Sequence, residues 1–293
     1  MDILSWDSVL GACQAKRPLY RETAITIGSF DGLHRGHKKL CTCVLNEKKK
    51  KKVPYSSQMK AGLITFVRPT KSSLATEYQG DILSTRLKCA CIKDMGFDFI
   101  VLIEFTEDFA KTSGEDFFYI LHTALGLKKL CVGADFACGY QHKTNVQEIQ
   151  KLSTLYHFEL ISIMPVQTKG QTVSSSRIRT HIGAGNCLEA KQLLGYPFML
   201  DIKGIPYAYT NTDGYFFKRR SFLQVIPHQG TYTVKLFIHH SKPVRAIVTI
   251  DDTHLHLQIS PTFYPFRTFC PMEEKQKDYA PLFEYLQFIK RRS

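Results

Sequence analysis

The stretch "ITIGSFDGLHRGHKKL", residues 25–40, decides how this chain is read. An apolar, β-branched run (Ile25, Thr26, Ile27) stops at Gly28, and the pattern over 23–28 predicts a short buried strand. A helix is expected over 38–47, with Leu40, Val44 and Leu45 on one face. Between them lie Gly28, Gly32 and Gly36, two histidines (His34, His37), and then Lys38 and Lys39. In an open parallel sheet, ligands bind beyond the carboxyl ends of the strands, and glycines let backbone approach a ligand closely. A following helix presents free N–H groups, which favour anions. Two lysines in its first turn oppose the helix dipole, a cost that a bound anion offsets. Histidines three apart share a face once the chain starts to turn, so their N–H groups can converge on phosphate oxygens. Isolated, each would read as an ordinary surface or core histidine. Their density with glycine and lysine after a strand points to phosphate binding. The stretch is neither G-x-G-x-x-G nor G-x-x-x-x-G-K-[ST], so it carries neither a dinucleotide fingerprint nor a P-loop, and the H-E-x-x-H of zinc proteases is absent.

Outward from this point the chain alternates. AGLITF (61–66), FIVLI (99–103), KLCV (129–132) and ELISI (159–163) read as strands. Ser84 is placed to cap a helix carrying Leu87, Cys91 and Met95 that closes at Gly96. Further helices are expected over 114–125, ended by Gly126, and over 145–156. Alternating strands and helices predict a Rossmann-like parallel sheet covered on both faces, an α/β domain spanning 1–198. From 199 to 293 Tyr, Phe, Thr and Val rise in alternating runs (202–209, 215–226, 230–239, 244–250, 254–259), which predicts a smaller antiparallel barrel or sandwich. A terminal helix is expected around 280–290, and no internal repeat is visible. The lysine run 48–52 reads as a solvated loop.

Bulk properties set outer limits. A length of 293 residues suggests two domains, and 44% hydrophobic with 22% charged residues is ordinary for a globular protein. A formal charge of +13 favours anionic partners. The start, MDILSWDSVL, does not read as a signal peptide, and no apolar run approaches the ~20 residues of a membrane helix. Nine scattered cysteines fit a reduced, cytoplasmic protein. The pairs Cys41/Cys43 and Cys89/Cys91 fall in helical patterns, where i and i+2 face apart, so core packing is expected rather than metal.

A second constellation is VSSSRIRTHIGAG, 173–185. Its serines can cap a helix while hydroxyls and amides face an anion, and Arg177 and Arg179 add charge suited to phosphate. Alone it is an ordinary capped helix. Together with the first constellation it suggests a polyphosphate clamp.

The two motifs then become specific. "GSFDGLHRGH" resembles the G-x-F-D-G-x-H-x-G-H motif of the HxGH nucleotidyltransferases, and "SSSRIR" resembles their S-S-T-x-I-R motif. "ILSTRLKCACIKDMGFDFIVLIEFTEDFAKTSGEDFF", "VGADFACG" and "SSSRIRTHIGAGNCLEAKQLLGYPF" resemble the adenylyltransferase module of bacterial bifunctional riboflavin kinase/FAD synthetases. The resemblance covers roughly residues 20–200. It implies transfer of AMP from ATP to FMN, with magnesium arriving on ATP and no protein nucleophile. It implies that His34, His37 and Arg179 act on the reacting phosphates. ATP would lie against Gly28, Ser29, Phe30, His34, Gly36, His37, Ser175, Ser176 and Arg179. The flavin side would use Asp31, Phe66, Arg68, Asp135 and Phe136. Small-molecule partners are implied, with neither nucleic acid nor membrane.

There are departures. The family's T-F-x-P-H-P segment is here "TFVRPTK" (65–71): Phe66 survives, the histidine is gone and Arg68 is new. The loop after "GADFACG" lacks the usual second glycine. In the second domain the kinase segment G-F-P-T-A-N has only a faint echo, "GIPYAYTN" (204–211), with the wrong spacing; the better match, RSFLQV, holds neither Thr nor Asn, and the first glutamate after Glu189 is Glu273. A kinase needs a base and oxygen ligands for magnesium, so a degenerate kinase domain is expected. The competing readings are another HxGH transferase with a different phosphate acceptor and a basic nucleic-acid-binding protein, although no nucleic-acid motif is present.

Overall fold

The computed structural model describes residues 1–50, 58–67, 80–210, 214–239, 241–259 and 283–292, with the side chains of Lys50 and Phe283 outside that set. The chain divides into two compact units, Met1–Ala75 with Lys88–Thr172, and Thr76–Leu87 with Val173–Ser293.

The first unit runs β1 (Asp2–Ser5), α1 (Trp6–Gln14), β2 (Thr23–Ile27), α2 (Arg35–Lys50), β3 (Lys60–Val67), α3 (Thr85–Asp94, entering from the second unit), β4 (Phe99–Glu104), α4 (Glu107–Ala110), α5 (Gly114–Leu125) and β5 (Leu127–Gly133). A small ladder, β6 (Ala137–Cys138) with β7 (Thr144–Asn145), precedes α6 (Val146–Leu155) and β8 (Glu159–Ile163); the hairpin β9 (Gln167–Thr168) and β10 (Gln171–Thr172) closes the unit. Six strands form one parallel sheet in the order β1-β4-β3-β2-β5-β8. Strand β2 is central and buried throughout. The chain leaves it toward β3 and β4 on one side, then returns to β5 and β8 on the other. This reversal beside β2 is the switch point where open α/β sheets bind ligands.

Each element has a local cause. Ser5 caps α1 by accepting from the Ser8 N–H, Ser113 caps α5 by accepting from the Asp116 N–H, and Gly126 ends α5 in the left-handed conformation at φ 62°. Phe117, Phe118, Leu121 and Leu125 of α5 pack with Trp6 and Val9 of α1 and with Ile25, Ile27, Val101 and Leu130 of the sheet. At Gly62 of β3 there is no room for a side chain, since a Cβ would lie 2.0 Å from the Phe99 ring.

The second unit carries α7 (Ser175–Gly183), α8 (Cys187–Leu194), β11 (Met199–Asp201), β12 (Tyr207–Thr210), β13 (Gly214–Lys218), β14 (Gly230–Ile238), β15 (Val244–Ile250), β16 (His254–Ile259) and β17 (Phe283–Arg291). Its seven strands form a curled antiparallel sheet, β11-β17-β14-β15-β16-β13-β12. Alternation does the work: Val244, Ala246, Val248 and Ile250 of β15 are buried, as are Leu255 and Leu257 of β16. The segment before α3 belongs to this unit. Gln224 donates to the carbonyls of Ile82 (3.0 Å) and Met199 (2.8 Å) and accepts from the Asp201 N–H (2.7 Å). Arg86 pairs with Asp201 at 2.8 Å and Glu284 at 2.6 Å.

Four expectations need correction. Residues 283–291 form strand β17, not a helix, because Leu286 and Phe288 are buried on one face with period two. Lys48 lies within α2 rather than in a loop and pairs with Asp98 at 2.9 Å; residues 51–52 of that run lie outside the described set. The alternating runs 202–209 and 215–226 are shorter strands, β12 and β13, interrupted by a turn at Gly204 (φ 73°) and a 3-10 turn at Arg219–Ser221. Strand β1 and helix α1 had no expected counterpart. Strands β2, β3, β4, β5 and β8 and helices α2, α3, α5 and α6 fall where the pattern put them, within a few residues, while α4, β6 and β7 had no expected counterpart.

Candidate active site

The turn from β2 into α2 is built around its own side chains. The His34 carbonyl accepts the first helical bond, from the Lys38 N–H at 2.9 Å, and His34 Nδ1 accepts from the His37 N–H at 3.3 Å. His34 is therefore the N-cap of the helix that carries His37, satisfying one of its orphan amides. Accepting through Nδ1 leaves the proton of a neutral ring on Nε2. The two imidazoles stack at 3.6 Å between centroids with planes 15° apart, and Phe30 packs against His37 at 5.1 Å.

The turn is tight and strained. Phe30 (φ 46°) and Leu33 (φ 39°) both sit in the left-handed region although neither is glycine, and both are buried. Such residues persist only where the surroundings over-determine them, and they cluster at functional sites. Gly32 (φ 83°) supplies the third left-handed position. The Ser29 carbonyl accepts from Thr65 Oγ1 at 2.8 Å and from Lys88 Nζ at 2.9 Å.

Burial sets the electrostatics. His34 is 5% exposed, and desolvation pushes its pKa down to about 4. His37 is held well below its ordinary value by burial first, then by His34 and Lys88. Both rings are thus neutral at pH 7, each with one N–H to donate. His37 Nδ1 is buried without a hydrogen-bond partner among the described residues, an uncommon state for a buried polar atom.

The other first-unit residues gather at the same carboxyl edge of the sheet. Gly28, Ser29, Phe30 and Asp31 follow β2, with Asp31 buried; Gly36 lies in the first turn of α2. Phe66 is near the end of β3 and packs against Phe105 at 5.9 Å and Phe109 at 6.0 Å. Asp135, exposed, and Phe136, half-buried, follow β5 directly, next to β2 in the sheet. Arg68 lies outside the described residues. Sequence reasoning missed Lys88: a lysine in the first turn of a helix looks solvated, yet its Nζ reaches Ser29 and it is 5% exposed.

The serine and arginine motif belongs to the second unit. Ser174 caps α7 by accepting from the Arg177 N–H at 3.4 Å. Ser175 and Ser176 follow in the first turn, the former half-buried and the latter exposed. Arg179 Nε donates to the Gly80 carbonyl at 3.0 Å. Of the paired cysteines, Cys41 is buried and Cys43 Sγ lies 2.7 Å from Cys131 Sγ. The one group of three His, Cys, Asp or Glu side chains close enough to share a metal ion, among the described residues, is Asp251, His254 and His256 in the second unit. No helix among them is long and apolar enough to cross a membrane.

The family model for FAD synthetase matches residues 16–177. A bifunctional riboflavin kinase/FMN adenylyltransferase from Buchnera aphidicola is 29% identical over 181 residues, covering 61% of this chain and 56% of that protein. The protein of the same description from Escherichia coli K12 is 27% identical, covering 77% and 72%. An FAD synthetase from Listeria monocytogenes is 28% identical, covering 72% and 80%. The match thus spans little more than half of the Buchnera protein. A crystal structure described as a macrolide-efflux protein from Streptococcus pneumoniae shares the fold, with a TM-score of 0.75 at 19% identity over 100% of this chain and 91% of that one.

Proposed function

The chain belongs to the FAD synthetase family of FMN adenylyltransferases, and from that premise we propose that it transfers the AMP of ATP to FMN. An FMN phosphate oxygen attacks the α-phosphorus in line; the new O–P bond forms as the bond to the β-phosphate oxygen breaks, and pyrophosphate leaves. No protein atom bonds to the phosphorus. The chain positions the two reactants and stabilises charge as it develops.

One observation carries this reading: two stacked, neutral, buried imidazoles at the start of α2, beside the switch point of a parallel sheet. Neutral rings donate N–H groups to phosphate oxygens without exchanging protons at pH 7, and the capped tautomer aims the His34 proton away from its own helix. His34 and His37 are assigned to the reacting phosphates. Gly28, Ser29, Phe30 and Gly36 line the nucleotide; Asp31, Phe66, Asp135 and Phe136, with Arg68, take the flavin side. Ser175, Ser176 and Arg179 keep the role their motif implies, holding the β and γ phosphates. Magnesium enters as part of the ATP substrate, held mainly by phosphate oxygens and water. The reaction is placed in the cytoplasm, with small molecules as partners rather than nucleic acid or membrane.

The domain over 199–293 is proposed to lack riboflavin kinase activity, because its Thr210 and Asn211 have the wrong spacing, the better-matching RSFLQV segment has neither residue, and its first Glu is Glu273, after the strands up to 259. Incubation with magnesium, ATP and either FMN or riboflavin, with chromatography of the flavins, tests both parts. FAD from FMN and no FMN from riboflavin is the expected result. FMN formed from riboflavin at a rate comparable to FAD synthesis overturns the second part; FMN left unchanged overturns the first.

A further inference from the structure

We infer that Lys88 is a positioning residue for the adenylyl transfer proposed above: its buried ammonium fixes the Ser29 carbonyl, and through it the turn that presents Phe30 and the histidine pair. The inference rests on that functional reading but is tested apart from it.

The first turn of α3 carries Lys88 to the carboxyl edge of the sheet. Its Nζ donates to the Ser29 carbonyl at 2.9 Å and approaches Thr65 Oγ1 at 3.4 Å, and Thr65 Oγ1 donates to the same carbonyl at 2.8 Å. One backbone oxygen is thus held from two elements, β3 and α3. The next residue is Phe30, fully buried at φ 46°, whose ring packs on His37. A left-handed, non-glycine residue is strained and needs neighbours that hold it. The doubly bonded carbonyl immediately before it is such a hold.

Stability alone does not explain a lysine here. Burying an ammonium is costly, and well-packed apolar replacements of buried charges are often as stable or more so. A second property distinguishes Lys88 from an apolar filler: it is a fixed cation near His37. The charged and titratable groups that act on that ring are His34, stacked on it from the same turn, and Lys88 from α3; Asp31, Arg35 and Lys38 are its neighbours along the chain. Burial, His34 and Lys88, in that order, hold His37 neutral. Removing the ammonium relaxes one of these three, so His37 should titrate at higher pH.

The test uses the full chain with Lys88→Met, close in length, and Lys88→Arg, which keeps the charge; Lys88→Gln replaces the Met variant if that does not fold. Imidazole NMR titration reads His37 whether or not FAD forms. Its midpoint is expected to rise in the neutral variant and to stay in place in Lys88→Arg. Turnover to FAD should fall about ten- to a hundredfold in the neutral variant, with KM for ATP changed less than about threefold, and recover in part with Arg. Unchanged turnover overturns the inference. So does lost turnover with an unmoved His37 midpoint, which marks Lys88 as merely structural. If the wild-type chain makes no FAD, the functional reading fails, while the His37 titration still decides whether Lys88 controls the pair.

Discussion

In the parallel-sheet unit His34 and His37 stack face to face at 3.6 Å, buried, on a turn of left-handed residues. In the antiparallel unit His254 and His256 alternate along β16 at 6.1 Å, and both are tied to Asp251: its Oδ1 accepts from the His254 N–H at 2.7 Å, and His256 Nε2 lies 2.9 Å from its Oδ2. The contrast is in what each pair lacks. In the second pair the carboxylate occupies a ring nitrogen of His256. The first pair is neutral, with His37 Nδ1 unpartnered among the described residues, and such a buried, unsatisfied arrangement is costly unless a ligand uses it. The second pair reads as a hairpin lock, completed by Thr253, whose N–H and hydroxyl both donate to Asp251.

Substitution separates the pairs most sharply. His34→Ala and His37→Ala should each lower FAD formation by about a hundred- to a thousandfold, the size expected for a lost preorganised donor. His254→Ala and His256→Ala should leave turnover within about twofold. Steady-state rates on all four variants, with circular dichroism to confirm folding, decide it; equal effects in both pairs would erase the distinction.

Acid probes the cost of keeping the first pair neutral. A His whose pKa falls to about 4 on folding, from its ordinary 6.5, binds fewer protons folded than unfolded between those values. Stability therefore rises with pH across that window: the cost is absent above pH 6.5 and grows as pH falls toward 4, reaching about 3 kcal/mol for His34. Urea midpoints measured from pH 7.5 to 4.5 should fall with acid in the wild-type chain. His34→Asn keeps a capping acceptor but cannot titrate, so its curve should be flatter. Parallel curves would show that His34 is not held neutral.

A smaller effect is expected from Arg179→Ala. The apparent KM for ATP should rise about tenfold, as for one lost charge-assisted contact, with that for FMN nearly unchanged. The opposite pattern would move this residue to the flavin side.

The parallel unit was the legible one. Its strands are short apolar runs bounded by glycine or polar residues, and caps such as Ser113 and Gly126 act locally, so sequence suffices to place them. The histidine turn was legible because glycine and histidine spacing carries its chemistry. What escaped depends on tertiary contact. Lys88 looks solvated until the fold brings the Ser29 carbonyl to it, and Lys48 until Asp98 does. Strand β17 was mistaken for a helix because EYLQFIK fits both periods; pairing with β14 and β11 settles the choice. The roles of Ser175, Ser176 and Arg179 rest on their motif, and their local geometry, a capped helix and an arginine on the Gly80 carbonyl, is ordinary.

The most direct test of the central claim, that the chain transfers adenylate to FMN, follows the α-phosphorus. Incubating the full chain with magnesium, FMN and ATP labelled at the α-phosphate should place the label in FAD, with one pyrophosphate released for each FAD formed. Label that stays in ATP, or that leaves it without entering FAD, would contradict the account.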